Sequence, residues 1–447
     1  MTKFIFVTGG VLSGGVGKGV TTSSIAKILQ MRGGASVTAV KIDPYLNVDA
    51  GTMNPFAHGG EVFVTMDGGE TDLDLGHYER FLDIELSKDH NITSGQVYLK
   101  VINDERQGRY LGGQTVQLIP PHVTDEIKRR LRLVADESKA DVVMVEIGGT
   151  VGDYEGLAFL EAIRQMRLEE DGNVMFIHVA LVPILETTDE FKTKPLQHSV
   201  MELRRVGIQP DAIVARSMKP PLTPPDIRRK IALFTNVAES AIFSSFDVDT
   251  VYRVPVLLDE QGLGGDHIGK MLGLQLRKAD WSLWLKLSDA IVNAKDEVNV
   301  VLCGKYVRLH DSYISIIEAL KHAGGAHLGV KPVITWCDSD EVESSPDVLS
   351  NMKPDAVIVL PGFGGARGGV EGGKIMTIRF ARENNIPFLG ICYGMQLAVV
   401  EFARHVMGYE DAHTTEVNPS TNHHHRFNSG GGRGGNGGRG GNNDTRQ

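Results

Sequence analysis

The sequence predicts an α/β protein built as two parallel-sheet units in series, and three observations carry that reading. Short runs rich in β-branched residues alternate with longer amphipathic stretches through the first 265 positions. A glycine-rich segment follows the first apolar run directly. A second series of alternating runs restarts near Val298. Strands that alternate with helical patterns imply a parallel sheet covered on both faces.

The strand candidates of the first unit are FIFV (4–7), SVTAV (36–40), DVVMV (141–145) and VMFIHV (174–179), with amphipathic helices at 125–135 and 156–169. The stretch 266–295 reads as a linker containing a helix over WSLWLKLSDAIV (281–292). VNVVL (298–302), VITW (333–336), AVIVL (356–360) and PFLGI (387–391) are the strands expected of the second unit. The expected domains are therefore 1–265, a linker 266–295, 296–420, and a tail 421–447. That tail, with its GGGRGGNGGRGGNN run, has too little apolar surface to offset its ordering entropy and is expected to be disordered.

Hydrophobic content of 41% and charged content of 23% are those of a globular chain. No apolar run is long enough to cross a membrane, and MTKFIFV reads as a buried first strand and not as a leader. Cys303, Cys337 and Cys392 are too scattered for a disulfide framework or a zinc site, so a cytoplasmic, reducing setting is expected. A formal net charge of −10 disfavours non-specific nucleic-acid binding by the body of the protein. If its ligands are nucleotides, local lysines and metal ions must supply the positive charge.

After the first strand comes TGGVLSGGVGKGVTTSS (8–24), leading into a helix. Glycines let backbone amides approach a phosphate, the helix N-terminus adds a favourable field, and Lys18 reaches the outer phosphates. Leu12 stands where the usual phosphate loop has its first glycine, and Gly19 follows the lysine where Ser or Thr is usual. A glycine-rich turn with a solvated lysine is the bland alternative; the strand before and helix after favour phosphate. Glu70, Asp72 and Asp74 crowd one short stretch, and Glu146 ends a buried-looking strand. A carboxylate at that edge of a parallel sheet faces the ligand crevice, and Mg²⁺ with nucleotide phosphates needs only one or two such ligands. For Asp72 and Asp74 a solvated turn is the alternative, whereas an ionised Glu146 beside a buried strand needs a partner. Lys192, Lys194, Gln197 and His198, with Lys230 further on, form a basic group that spacing alone would assign to the surface. Finally, Cys392 sits between strand 388–391 and a helix opening on Tyr393-Gly-Met-Gln, the pattern of a nucleophile on a sharp turn. A buried structural cysteine is the alternative.

Together these segments resemble the CTP synthases, which aminate UTP at the expense of ATP. The resemblance is carried by KIDPYLNVDAGTM (41–53), TDLDLGHYERF (71–81), VEIGGTVGD (145–153), KTKPLQHSV (192–200) and RFARENNIPFLGIC (379–392), and runs from residue 1 to about 420. It implies a P-loop-like synthetase domain followed by a flavodoxin-like class I glutaminase domain. It further implies that Lys18 and Lys41 hold and activate the ATP phosphates with Gly15, Gly17, Gly19, Val20 and Asp74, while Asp74 and Glu146 hold Mg²⁺. UTP, and CTP as feedback inhibitor, are implied at Ser13, Asp153, Tyr154, Glu155, Lys192, Lys194, Gln197 and Lys230. Cys392 matches the glutaminase nucleophile. Gly362 and Gly364 match the oxyanion loop, which with Arg367 and Glu371 responds to GTP in the family, and Gln396 and Glu416 match positions that hold glutamine. A homotetramer assembled through the first domain is implied as well.

The chain also departs from the family pattern. The His and Glu that complete the triad lie in a His-Pro-Glu-type segment further along in the family, and here a glycine-arginine tail stands in that place. A cysteine nucleophile needs a base to activate it and an acid for the leaving ammonia, so an incomplete glutaminase with little or no glutamine hydrolysis is expected. Extra residues occur at 14–18, 57–61, 111–115 and 119–122, and the glutaminase loop reads PGFGGARGG (361–369). The first reading is therefore an ammonia-dependent CTP synthase. The alternative is a catalytically impaired nucleotide-binding or assembly subunit, and a phosphate-loop ATPase of the partitioning type is a weaker third. Arg433 and Arg439 in their glycine repeats resemble RNA-contacting tails, although a translated frame change or fused linker is the blander reading.

Overall fold

A computed structural model describes residues 1–414, apart from 11–15, 34, 111–114, 186, 188, 189, 219–224 and 363–369. The chain divides into two compact units. One comprises Met1–Val298 with Arg308–Val333, the other Asn299–Val307 with Ile334–Gln447. No helix among the described residues is long and apolar enough to cross a membrane.

The strands of the first unit are β1 (Lys3–Gly10), β2 (Val37–Asp43), β3 (Val62–Val64), β4 (Glu70–Asp72), β5 (Asn91–Thr93), β6 (Val142–Ile147), β7 (Val174–Leu181), β8 (Ile184–Leu185), β9 (Glu190–Phe191), β10 (Ala212–Ser217) and β11 (Ile242–Phe246). Seven of them form one sheet in the order β11-β10-β7-β1-β6-β2-β5, and the pairs around β1 are parallel. β1 shows why: Phe4 and Phe6 enter the core on one face of the sheet, while Ile5 and Val7 enter the core on the other. A strand buried on both sides needs helices on both sides, and the parallel crossovers supply them. Those expected at 125–135 and 156–169 are the helices His122–Ser138 and Leu157–Glu169. The helix Ser282–Asn293 lies within the stretch read as a linker.

In the four-stranded sheet, β12 (Asp296–Gly304), β13 (Val330–Asp338), β14 (Ala356–Val359) and β15 (Phe388–Gly390) are ordered β13-β12-β14-β15. β14 runs parallel to both β12 and β15. Val301, Val357, Val359, Ile378 and Leu397 are among the residues that fill the core of the second unit. All eight strands expected from the sequence are present. β5, β10 and β11, and the two small hairpin pairs β3/β4 and β8/β9, were not expected.

Candidate active site

Sheet register builds the first site. Lys41 on β2 lies level with Glu146 on the neighbouring β6, and Val7 on β1 pairs with Glu146 from the other side. The Lys41 ammonium stands 3.0 Å from Glu146 Oε1 and 3.7 Å from Asp72 Oδ1, and it also bonds the Asp74 carboxylate. Asp74 enters from the first turn of the helix Leu73–Leu82, whose N-cap is Asp72. The Asp72 carboxylate accepts from the Asp74 amide at 2.9 Å, which satisfies one orphan amide of that helix. One turn on, Tyr78 donates its hydroxyl to Glu146 Oε2 at 2.5 Å. Asp43, at the end of β2, accepts from Asn91 Nδ2 at 2.8 Å.

Lys18 opens the helix Lys18–Met31, which begins after Gly17 in the left-handed region (φ 75°) and has no side-chain cap. Its first-turn amides therefore remain available to a ligand. The Lys18 side chain is buried and donates to the carbonyl of Gly149. Gly19 packs so closely against Asp74 that a Cβ there would fall 1.8 Å from Oδ1. Lys18, Gly19, Lys41, Asp74 and Glu146 thus converge. Gly15 and Ser13 lie outside the described residues.

The electrostatics of this cluster are unbalanced. Burial, the Glu146 charge and the Asp72 charge push Asp74 well above the usual carboxylate range, against the pull of Lys41. Burial and the Asp72 charge raise Asp43 to about 7. Burial lowers Lys18, opposed by Glu146. Lys41 is raised despite its burial, because Asp72, Asp74 and Glu146 surround it. His58 Nε2 lies 3.3 Å from Asp72 Oδ2, and although burial acts downward, the carboxylate raises the imidazole. Asp43, Asp72 and Glu146 are buried and Asp74 is partly so, and these four carboxyl groups share two lysines and one histidine, a setting that favours a further cation. Among the described residues no group of three or more His, Cys, Asp and Glu forms a metal cage. Two carboxylates with phosphate oxygens suffice for Mg²⁺, and Asp74 with Glu146 fits that need.

The expected uridine-nucleotide residues fall in two groups. Lys192 Nζ bonds Glu190 Oε2 at 2.7 Å, and the nearby charge of Lys230 also acts on Glu190. Lys194 begins the helix Lys194–Arg205 and places its ammonium 5.7 Å from the centre of the Phe234 ring, while Gln197 is buried and donates to Thr193 Oγ1 at 3.0 Å. Asp153, Tyr154 and Glu155 form an exposed turn. Val151 in that turn donates its amide to Gly9 O at 2.9 Å, tying the turn to the end of β1.

The second site centres on Cys392, exposed at the N-cap of the helix Tyr393–His405 with φ 53° and ψ −109°. The flanking glycines permit that strained turn. A Cβ on Gly390 would meet the Gly394 backbone at 2.7 Å, and one on Gly394 would fall 2.1 Å from Val359 O. Gln396 is buried on the first turn of the helix, and Gly362 has φ 101°. Gly364, Arg367 and Glu416 lie outside the described residues, as does the tail. Sequence reasoning missed Lys374, a fully buried lysine whose ammonium bonds Leu360 O at 3.0 Å and Gly362 O at 2.9 Å and lies 5.4 Å from the Tyr393 ring centre. Burial depresses it to about 8, opposed by Cys303 and Cys392 and reinforced by Lys305.

Such a depressed lysine binds fewer protons folded than unfolded between pH 8 and its ordinary value of 10.5. Stability from this group is full above that window and lost as pH falls through it, a difference of roughly 3 kcal/mol. Lys374→Met should therefore flatten the rise in stability that the parent chain gains from pH 8 to 10.5. Denaturant unfolding of both proteins across that range checks it; identical pH slopes would contradict it.

Among the described residues of the second unit, histidine occurs at His405 and His413. His405 ends the helix that Cys392 begins, roughly 20 Å away at helical rise. Ala412, the neighbour of His413, is held by Arg404 near that same far end.

The pattern of "CTP synthase N-terminus" matches residues 3–274, and that of "Glutamine amidotransferase class-I" matches 308–435. The CTP synthase of Caldivirga maquilingensis is 68% identical over 423 residues, covering 95% of this chain and 76% of the relative. The chain belongs to the CTP synthase family. CTP synthases are ligases that form a carbon–nitrogen bond, and that function is supported for this chain over both units. The CTP synthase of Pyrobaculum calidifontis is 60% identical across 95% of this chain and 77% of its own length. A solved structure of the Trypanosoma brucei CTPS glutaminase domain with bound acivicin matches 28% of this chain and 48% of its own, at 33% identity and a TM-score of 0.25.

Proposed function

We propose that this chain of 447 residues converts UTP to CTP in two steps that use ATP, drawing on ammonia and not on glutamine. The observation that carries the reading is Lys41 held between Asp72, Asp74 and Glu146 beside Lys18. In the first step the γ-phosphoryl of ATP passes to O4 of the uracil ring, N3 gives up its proton, and ADP leaves. In the second, ammonia attacks C4, loses a proton, and phosphate departs with the former O4. Positioning and charge neutralisation are the protein's main tasks in phosphoryl transfer.

In this proposal Lys18 and Lys41 hold the ATP phosphates with the amides of Gly15, Gly17, Gly19 and Val20. Asp74 and Glu146 would hold Mg²⁺, which when bound neutralises phosphate charge. Lys192, Lys194, Gln197 and Lys230 hold the uridine nucleotide with Ser13 and the 153–155 turn, and CTP competes there as inhibitor. The synthetase domain is taken as 1–265, the linker as 266–295 and the glutaminase domain as 296–420. A homotetramer in the cytoplasm, with GTP acting on the glutaminase loop, completes the reading. The ammonia preference is supported by the placement of His405, which among the described residues stands at the far end of the helix that Cys392 begins and so is not within reach as its base; a cysteine nucleophile needs such a base at neutral pH.

The chemistry is tested by supplying UTP labelled with ¹⁸O at O4, together with ATP, Mg²⁺ and ammonium salt. Label should appear in the released phosphate. Unlabelled phosphate accompanying CTP would rule out a 4-phosphorylated intermediate.

A further inference from the structure

Two cysteines that lie far apart in the sequence meet inside the second unit. Cys303 stands near the end of β12 and Cys337 near the end of β13, and these strands are neighbours in the four-stranded sheet. Successive side chains of a strand point to opposite faces, so alternate positions share a face. Thr335 Oγ1 donates to Asn299 Oδ1 at 2.7 Å, which puts the odd-numbered positions of both strands on a common face. Cys303 and Cys337 continue that face, and their thiols share a hydrogen bond. Both are fully buried in the core of this unit with Val301, Val342 and Val357. On the helix Val370–Glu383, Thr377 Oγ1 lies 3.3 Å from Cys303 Sγ.

The placement meets the requirements of a covalent bond. Neighbouring strands lie about 4.8 Å apart, within the roughly 4.4–6.8 Å that a disulfide spans between Cα atoms. The two thiols are also unequal. The hydrogen bond from Cys337 lowers the Cys303 thiol against the pull of burial, with Thr377 and the Lys374 charge acting the same way and Asp338 opposing. The same hydrogen bond, together with burial, raises Cys337. Cys303 is therefore the attacking thiol and Cys337 its partner. An oxidant reaches them through β13. That strand ends the sheet, and of its nine residues Cys337 alone is buried. Local opening of such a strand uncovers both sulfurs while the rest of the unit stays folded.

We propose that Cys303 and Cys337 form a reversible disulfide site, closed by exchange with a low-molecular-weight disulfide such as oxidised glutathione, that fastens β13 to β12. The Cys303 thiol first gives up its proton, and its sulfur attacks one sulfur of the small disulfide. One small thiolate leaves and takes up a proton. Cys337 then gives up its proton and attacks the Cys303 sulfur, which breaks the mixed disulfide. The second small thiolate leaves and is protonated in turn. Two protein thiols are oxidised, and one small disulfide is reduced to two thiols. The new bond closes a loop through residues 304–336 and takes from β13 the freedom to leave the sheet.

The test holds the folded full chain in glutathione buffers that run from fully reduced to mostly oxidised. Samples are quenched in acid, alkylated and mapped by mass spectrometry. Under oxidising conditions most molecules should yield a Cys303–Cys337 cross-linked peptide, while the exposed Cys392 carries glutathione, and dithiothreitol should restore all three thiols. Closure should raise the thermal midpoint of the second unit by roughly 5 °C. Cys337→Ala should abolish that rise and leave Cys303 reduced. Mapping the parent chain requires no variant, so the test stands even if Cys337→Ala fails to fold. Thiols at 303 and 337 that stay reduced in oxidised glutathione would overturn the proposal, as would a cross-link from either of them to Cys392. A cross-link that forms only in denaturant would overturn it as well, because β13 would then not open in the folded chain. A cross-link that leaves the midpoint unchanged would contradict the fastening of β13.

Discussion

Lys41→Met is expected to abolish CTP formation and to destabilise the first unit at the same time. Lys41 is the ammonium that Asp72, Asp74 and Glu146 share in a buried cluster. Breaking a buried pair by removing one partner costs about 3–5 kcal/mol, because the remaining charges stay buried. Losing a cation aimed at a phosphoryl group costs on the order of 10³ in rate. Arginine should not restore activity, since its planar fork replaces a point charge in a position only 5% exposed. Ammonium-driven CTP formation and thermal unfolding measured on the same preparations check this. Normal stability with lost activity would show that the carboxylates do not depend on Lys41.

Glu146→Gln should separate the two effects. The Glu146 carboxylate is 1% exposed, accepts from Tyr78 and Lys41, and raises Asp74 by its charge. Glutamine keeps the volume and one acceptor oxygen while removing a desolvated charge, so stability should stay within about 1 kcal/mol of the parent. Activity should fall by roughly 10²–10³, with a higher Mg²⁺ concentration needed for half-maximal rate. A Mg²⁺ titration under saturating nucleotides measures this directly. An unchanged Mg²⁺ requirement would remove Glu146 from the metal assignment.

The sequence revealed the parts of the fold whose residues report on their own surroundings. β1, β2, β6 and β7 are apolar on both faces, so their composition alone marks buried parallel strands. β10 (AIVARS), in contrast, carries arginine and serine among its apolar residues, β11 (IFSSF) has two serines at its centre, and β5 has three residues, too few for a period. In the first site, Lys18, Asp74 and Glu146 were legible because glycines, a helix start and a strand end mark such positions. Tyr78 had a weaker signal: it lies four residues after Asp74 and so on the same face of one helix. Lys374 had none, since a lysine on a helix reads as a solvent-facing residue until tertiary packing buries it. His178 is a histidine in an apolar strand that sequence reasoning did not single out, and its partners are set by the β1–β7 register and by the helix that begins at Lys194.

The most direct test of the central claim is CTP formation from UTP, ATP and Mg²⁺ by this chain, run in parallel with ammonium salt and with glutamine. Product from ammonium with only traces from glutamine is the predicted result. Comparable product from glutamine would contradict the ammonia preference, and no product from either source would contradict the synthetase assignment built on Lys18, Lys41, Asp74 and Glu146.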